Sequence, residues 1–560
     1  MSGRGKTDRK ARSPRIAVAL CGCGGELASR LDLDAIARRL EAHPGVALVI
    51  RGDFPCSRSQ AGKIAAAIGR ARIERVVIAG CSERLFGKFF RTRLAPVGVH
   101  PALVEFADIK HQSAAAGTGK AAATDRAARL TAAAVARVAL AARPERITAE
   151  VLPVCAVIGG GVAGITAATA LAARGVEVVL VESEIQVGGL IRRLNVVHPG
   201  YVPSGDFVAA RSAELAAAGV RVITGAHPVA ARGQVGSFEL DLSDGQTVKA
   251  GAIIVATGAD LLAPAGLFGY GADPRVIAQI DLEALLARGE DPGRNIVMIQ
   301  CAGSRNPQRP YCSRVCCTAS IVNTIFIKQH FPAARITVLS RGFAEYAGDL
   351  DRAREMGVEI IRYSPGRPPV VSAGTVDVYD EISEMEARIP FDRVVLAAPM
   401  VPSVATSRIA EMLRMPTDRF GFLIEPHLRV RPEEYVPRGV FAAGCAHWPS
   451  TITESIIQAY SAASRAFDLI NAGKIEREAV VSVIDPDLCR GCGRCAEVCR
   501  HGAIEVTVAG DGLRAARVIP IQCTGCGVCV SVCPSGAVAL PLSSAESLAP
   551  LAHAVIGGRD

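Results

Sequence analysis

Apolar residues along this chain fall in short blocks, separated by longer stretches in which they recur every third or fourth position. Ile16–Leu20, Val46–Ile50 and Val76–Ala79 are such blocks, and Leu33–Glu41 and Gln60–Ala71 between them have helical period. The alternation resumes with Pro153–Ile158, a helix running on through Ile165 to Arg174, and Val176–Val181. It returns a third time with Asn295–Gln300, a helix over Thr318–His330, and the blocks Ile336–Leu339, Val358–Ile361 and Arg393–Leu396. A block of four to six apolar residues is too short for a helix core and suits a strand buried on both faces. Strands alternating with helices predict parallel sheets, hence an α/β chain of several domains.

The turn after Ile158 carries the first chemistry. Gly159, Gly161 and Gly164 have the G-x-G-x-x-G spacing between a strand and a helix. The first glycine permits the tight turn, the second lets the backbone approach a pyrophosphate, and the third lets helix and strand pack closely. Glu182, at the end of the next strand, can accept the ribose hydroxyls and disfavours a 2′-phosphate. Gly188 and Gly189, the Ala256-Thr257-Gly258 turn after an apolar strand, and Val440–Cys445 with Gly444 are the further marks of a two-dinucleotide-domain flavoprotein. FAD is the expected ligand, on a Rossmann-like, thioredoxin-reductase-like fold spanning 153–472.

The second βα unit of that fold, about 292–400, departs from the pattern. After Asn295–Gln300 comes no glycine fingerprint but Cys301, Cys312, Cys316 and Cys317. Thiolates are soft ligands suited to iron–sulfur clusters. A redox dithiol would use two of the four and leave two idle. Near the N-terminus, Cys21, Cys23, Cys56 and Cys81 each follow a predicted strand, the edge at which parallel sheets place ligands, so the four are expected to converge on one cluster. The last domain, 480–542, repeats one spacing: Cys489-x-x-Cys492-x-x-Cys495-x-x-x-Cys499, then Cys523-x-x-Cys526-x-x-Cys529-x-x-x-Cys533-Pro534. This is the bacterial-type ferredoxin arrangement for two [4Fe–4S] clusters, in which the fourth cysteine of each run serves the other cluster. Cys489, Cys492, Cys495 and Cys533 are thus expected on one cluster, and Cys523, Cys526, Cys529 and Cys499 on the other. These sets use all of the 18 cysteines except Cys155, expected in the core, and Cys445, placed at the flavin.

Composition narrows the setting. The 560 residues are 50% hydrophobic but only 4% aromatic, so alanine-rich helices must fill much of the interior. The basic stretch 1–15 reads as a disordered tail without the apolar segment of a secretory signal. Its charges form no helical stripe and have no interleaved aromatics, which argues against nucleic-acid binding. No apolar run is long enough to span a membrane. Cysteines at metal-ligand spacing argue for a reducing cytoplasm rather than a disulfide framework. The alanine-rich stretch 111–152 reads as a helical linker between an N-terminal domain, 16–110, and the flavoprotein, and 543–560 as a tail.

Taken together, Cys21-Gly-Cys-Gly-Gly25, Cys56, Cys81-Ser82, Ile299–Arg305, Tyr311–Cys317, Phe441–Ala446 and Glu454–Ala459 resemble the A-type subunits of heterodisulfide reductase, the HdrA-like iron–sulfur flavoproteins. The resemblance implies FAD and several [4Fe–4S] clusters. It implies a role as the electron-distributing or electron-bifurcating hub of a hetero-oligomer. Its partners would be heterodisulfide-reductase B- and C-like subunits, hydrogenase-, NADH- or formate-input subunits, and ferredoxin. Methanogen members carry further cluster cysteines in an inserted segment, whereas Leu190–Gln300 here has none. The electrons need only tunnel between centres, so no catalytic acid or base is named. Two other readings stand beside this one: a self-contained NAD(P)H-dependent ferredoxin-type oxidoreductase, against which the missing second fingerprint speaks, and a cluster-bearing assembly scaffold.

Overall fold

The computed structural model describes residues 14–541 apart from residues 118, 142, 145, 344–348, 426–437, 479–480 and 509–511, together with 548–550 and 552–553. The basic tail, up to residue 13, and most of the C-terminal tail lie outside the described residues. The chain divides into two compact units. One runs to Arg146 and takes up again over Glu478–Cys499 and from Ile504; the other holds Ile147–Arg477 with Arg500–Ala503.

The N-terminal sheet has four parallel strands, β1 (Ile16–Cys21), β2 (Val46–Gly52), β3 (Arg75–Ala79) and β4 (Val104–Ala107), in the order β2-β1-β3-β4. Helices α1 (Leu33–Glu41) and α2 (Arg58–Arg70) connect the first three strands. Asp32 and Ser57 cap them, their side chains accepting from the amides of Ala35 and Gln60. Strand β4, with its mixed sequence Val-Glu-Phe-Ala, gives no clear apolar block and escapes the pattern reading. The expected linker is also different from the observed structure. Helix α3 (Lys120–Leu140) buries Ala123, Ala127, Ala134, Val135 and Val138 against Ile16, Val18 and Val77, so it covers one face of this sheet. Its buried face is rich in alanines, whose small side chains let the helix lie close.

In the second unit a five-stranded parallel sheet has the order β7-β6-β5-β8-β14, from β5 (Val154–Ile158), β6 (Glu177–Glu182), β7 (Arg221–Thr224), β8 (Ala252–Val255) and β14 (Val440–Ala442). Cys155 is fully buried in β5. Helix α4 (Val162–Ala172) follows β5, and helix α7 (Ile452–Asn471) shares its core, where Ala163, Ala167 and Ala168 are buried with Ala459, Ala462, Ala463 and Ala466. A second five-stranded parallel sheet has the order β9-β13-β10-β11-β12, from β9 (Val276–Ala278), β10 (Asn295–Ile299), β11 (Arg335–Ser340), β12 (Glu359–Arg362) and β13 (Arg393–Leu396). Helices α5 (Gln279–Ala287) and α6 (Cys316–His330) belong to this lobe. The ferredoxin-like part is two small antiparallel pairs, β15 (Val483–Ile484) with β18 (Val538–Ala539) and β16 (Ile504–Val508) with β17 (Arg514–Val518).

One buried acid joins parts of the second unit. Glu283 of α5 is 3% exposed; it accepts from the Asn195 amide at 2.8 Å and from Nδ2 of Asn323 in α6 at 2.8 Å. Burial pushes its carboxyl from 4.5 up to about 7, opposed by those two hydrogen bonds. The folded state therefore holds this proton more tightly than the unfolded chain. The resulting stabilisation is complete below pH 4.5 and is lost as the pH rises through 7.

Two substitutions test these assignments. Ala134→Leu overfills the interface of α3 and is expected to destabilise the N-terminal unit by about 1–3 kcal/mol in urea unfolding followed by circular dichroism. A true linker helix would show no change. Glu283→Gln is expected to flatten the fall in thermal midpoint between pH 5 and 8, removing a contribution on the order of 3 kcal/mol. A parallel pH profile in variant and wild type would contradict the assignment.

Candidate functional site

The dinucleotide turn lies between the end of β5 and the start of α4, over residues 159–161. Each glycine answers a different steric demand. At Gly159 φ is +104°, and a Cβ would lie 2.3 Å from the Ala256 carbonyl oxygen. At Gly164 a Cβ would sit 1.8 Å from the Gly159 carbonyl oxygen, so helix and turn meet there backbone to backbone. At Gly161 a Cβ would meet nothing within 4 Å. The backbone at Gly161 is extended (φ −74°, ψ −177°), so open space rather than conformation is what glycine provides there. That bare backbone at the N-terminus of α4 suits a pyrophosphate, which needs close approach and free N–H groups.

The other residues expected at the flavin are placed as follows. The Gly188 amide donates to the Gly160 carbonyl at 2.7 Å, and a Cβ on Gly189 would come 3.1 Å from the Gly161 Cα. Glu182, 6% exposed, accepts from the amides of Gly160 at 2.6 Å and Glu184 at 2.8 Å, which fixes its carboxylate beside the turn. Its oxygens have further lone pairs for a ribose hydroxyl. Thr257 shares a hydrogen bond with Thr406, Oγ1 to Oγ1, at 2.7 Å, and Gly258 turns with φ +72°. Gly444 has φ +74°, packs within 3.0 Å of the Ala163 Cβ by its own projected Cβ, and donates its amide to Oε1 of Gln458 at 2.8 Å. Cys445 follows, its Sγ donating to the Ser450 carbonyl at 3.4 Å, and burial pushes its thiol up.

The second lobe is built otherwise. Where β5 reaches its helix in three residues, β10 reaches α6 only after residues 300–315. Cys316 and Cys317 occupy the first turn of α6, both buried, and Cys301 is buried directly beyond β10. Cys301, Arg305 and Arg314 all adopt left-handed backbone, with φ of +59°, +53° and +62°. Side chains rarely take that conformation, and such residues concentrate at functional sites. The Cys301 thiol is pushed up first by burial, with Arg305 opposing and Cys317 and Cys312 adding to the rise. Cys316 is pushed up by its hydrogen bond to Cys317 and by burial, then by Cys301 and Cys312. The four thiols therefore lie within one another's field. Arg305 points Nη1 at Cys301 Sγ, 3.9 Å away, and the Arg314 amide donates to Cys312 Sγ at 3.3 Å. The Arg314 guanidinium pairs with Glu454 in the capping box of α7 and donates to the Pro449 carbonyl, which ties this loop to the segment that carries Gly444 and Cys445. The role of Arg314 is not legible in sequence, because it depends on partners 135 and 140 residues along the chain.

In the N-terminal sheet, Cys21 ends β1, Cys23 follows it, Cys56 follows β2 and Cys81 follows β3. The sheet order reverses direction between β1 and β3, which is where open α/β sheets bind ligands. The Cys21 thiol is pushed up to about 12 by burial, opposed by a backbone hydrogen bond at Cys23, while the charges of Cys23, Cys81 and Cys56 add to the rise. Glycines crowd in around them: a Cβ on Gly80 would come 3.0 Å from the Cys21 Cβ, and one on Gly24 would strike the Phe54 ring at 2.3 Å.

The ferredoxin-like part brings Cys489, Cys492, Cys495 and Cys533 around one cavity, with Ile484, Ala516, Ala537 and Val538 as apolar wall. Cys499 and Cys529 belong to the same small core as Cys495 and Cys533. Ser482 touches two thiols of the second set, its amide donating to Cys523 Sγ at 3.4 Å and its hydroxyl lying 3.2 Å from Cys529 Sγ. Cys492 and Cys526 are exposed. Among the described residues no three His, Cys, Asp or Glu side chains close on a single metal ion, and all eighteen cysteines are free thiols. A cubane presents four separate iron corners to its thiolates, so it does not require the tight focus of a mononuclear site.

Comparison with known proteins supplies the family. Residues 488–537 match the 4Fe-4S dicluster domain family, and residues 153–297 match the pyridine nucleotide-disulphide oxidoreductase family. An iron-sulfur A-type subunit of CoB--CoM heterodisulfide reductase from Methanopyrus kandleri is 30% identical over 608 aligned residues, covering 89% of this chain and 92% of its own. The chain belongs to the HdrA family of heterodisulfide reductase subunits. The A-type subunit of the ferredoxin/F(420)H(2)-dependent CoB-CoM heterodisulfide reductase from Methanosarcina acetivorans is 29% identical over 88% of this chain and 75% of its own. Among solved structures, thioredoxin reductase of Lactococcus lactis aligns with 57% of this chain and 99% of its own at 18% identity and a TM-score of 0.42. This member of the HdrA family is thus an oxidoreductase electron-transfer subunit with FAD and [4Fe–4S] clusters as cofactors. No helix among the described residues is long and apolar enough to cross a membrane.

Gly161 offers a clean test of the flavin turn. Gly161→Ala fits the extended backbone and touches no protein atom, so folding is expected to be unchanged. The added methyl stands where the pyrophosphate must approach, and FAD retention on gel filtration is expected to weaken by about tenfold, roughly 1.4 kcal/mol. Unchanged flavin content would place the dinucleotide elsewhere.

Proposed function

We propose that this chain is an electron-distributing subunit carrying one FAD and four [4Fe–4S] clusters, and that it binds no nicotinamide of its own. In this reading Gly159, Gly161, Gly164, Glu182, Gly188, Gly189, Thr257, Gly258, Gly444 and Cys445 seat the flavin. The clusters are held by Cys21, Cys23, Cys56 and Cys81; by Cys301, Cys312, Cys316 and Cys317; by Cys489, Cys492, Cys495 and Cys533; and by Cys523, Cys526, Cys529 and Cys499. When bound, FAD supplies the exchange between two-electron and one-electron transfer and the clusters supply one-electron steps. The residues have two tasks: to hold these groups at fixed places, and to surround them with the burial and hydrogen bonds that tune their potentials.

The observation that carries the reading is the loop from Cys301 to Cys317. It stands where a nicotinamide dinucleotide would need a glycine turn and an open helix N-terminus, and it fills both with buried thiols. That arrangement disfavours a self-contained NAD(P)H-dependent reductase. It also implies that electrons enter and leave through partner proteins. Subunits resembling heterodisulfide reductase B and C, an input subunit of hydrogenase, NADH or formate type, and ferredoxin are the partner classes that fit.

Anaerobic purification with iron and flavin analysis tests the assignment. Four cubanes give about 16 iron per FAD, and Cys312→Ser is expected to remove about four of them while flavin is retained. A wild-type value near eight would restrict the clusters to the ferredoxin part. Bleaching of the flavin by NADH or NADPH alone, without any partner, would overturn the reading in favour of the self-contained reductase.

A further inference from the structure

The N-terminal site contains a group that the cysteine pattern does not announce. Strands β1, β2 and β3 each deliver thiols to the edge of the sheet, and β4 delivers Lys110. Its ammonium Nζ lies 3.5 Å from Cys23 Sγ and 2.7 Å from Oε2 of Glu26. The side chain is only 25% exposed. Its field reaches Cys81 as well, whose rise from burial and from Cys23 it opposes.

The backbone holds this lysine in place. The Lys110 amide donates to the Gly80 carbonyl at 3.0 Å, one residue before Cys81, and the Gly80 amide donates to the Ala107 carbonyl at 3.0 Å. Lys110 then opens a single π-helical turn, Lys110–Ala114, closed by the Ala115 amide on the Lys110 carbonyl at 3.0 Å. Isolated π turns are rare and are found disproportionately at functional sites. Of the other charged groups nearby, Asp108 pairs with His111 at 2.9 Å, Glu26 pairs with Lys110 itself, and the Arg30 guanidinium donates to the Ala114 carbonyl at 3.4 Å.

We propose that Lys110 is the residue that raises the reduction potential of the N-terminal cluster, by donating an N–H to the Cys23 thiolate and by holding a fixed positive charge there. The proposal rests on the cluster reading of Cys21, Cys23, Cys56 and Cys81 given above. Reduction adds one electron and makes the cluster one unit more negative. A cation in a partly desolvated site favours that form, and hydrogen bonds to the sulfurs do the same. Glu26 anchors the ammonium and offsets part of its charge.

The test is a dithionite redox titration of the full-length protein, followed by electron paramagnetic resonance. The signal lost in Cys81→Ser identifies the N-terminal cluster. In Lys110→Met, the ratio of reduced to oxidised N-terminal cluster at a fixed potential is expected to fall at least tenfold, a midpoint about 59 mV lower for one electron. Lys110→Arg, which keeps the charge, is expected to stay within threefold of wild type. A Lys110→Met ratio within twofold of wild type overturns the proposal while leaving the cluster in place. Should Lys110→Met fail to retain the cluster, Lys110→Gln, which keeps an N–H donor without the charge, decides: a ratio at least threefold below wild type supports the proposal, and an equal or higher one overturns it. If Cys81→Ser removes neither signal nor iron, the cluster reading itself fails, and the proposal falls with it.

Discussion

Thiols crowded together at a buried edge cannot ionise together, and much of this structure follows from that constraint. In the first sheet burial and neighbouring thiols push Cys21 up to about 12. In the second lobe the same causes act on Cys301 and Cys316. Each thiolate would be a charge in a low-dielectric place facing others of its own sign. Such thiols keep their protons until a cationic centre replaces them, and metal binding at such sites releases protons for that reason. Lys110 and Arg305 moderate the field from the side, but one cation cannot neutralise four thiolates. Four thiolates held together in this way are soft ligands that suit iron and sulfur, which is the reading proposed above.

Parallel sheets decide where such sites arise. A strand buried on both faces offers side chains to the core along its length, so chemistry must wait for the carboxyl edge. All three open sheets here obey this: Cys21, Cys23, Cys56, Cys81 and Lys110 stand at the edge of the first, Gly159–Gly161 and Glu182 at that of the second, and Cys301 at that of the third. The ferredoxin-like part has no such edge. Its strands are two to five residues long, and its core is largely made of the cysteines themselves with Ile504 and Val538.

Much of this was legible because spacing and geometry coincide. Cysteines separated by two residues in a short loop need no distant partner to be recognised, and Gly159, Gly161 and Gly164 stand within one strand–turn–helix stretch. What escaped reading depends on contacts remote in sequence. Helix α3 looks like a linker until Ala127 and Ala134 are seen against Ile16 and Val18. Lys110 is one lysine among many until β4 brings it to Cys23, 87 residues away. Arg314 gains its meaning only from Glu454, 140 residues on. Glu283 is an ordinary helix glutamate until Asn195 and Asn323 close over it.

The two lobes of the second unit make the functional argument by contrast. Both have five parallel strands, and both send the chain from a central strand into a helix. In the first lobe the crossing takes residues 159–161, the helix N-terminus is bare, and Gly161 faces open space. In the second it takes residues 300–315, the first helical turn is Cys316-Cys317, and Cys301, Arg305 and Arg314 hold left-handed backbone within the loop. It lacks the glycine turn and bare helix N-terminus that suit a pyrophosphate. Through Arg314 it is bound instead to Pro449 and Glu454, on the segment whose Gly444 packs against Ala163 at the start of the flavin helix. The loop that carries the four cysteines is thus physically linked to the segment that carries Gly444 and Cys445. The same parallel-sheet frame that elsewhere would hold two dinucleotides here holds one dinucleotide turn and one set of buried thiols.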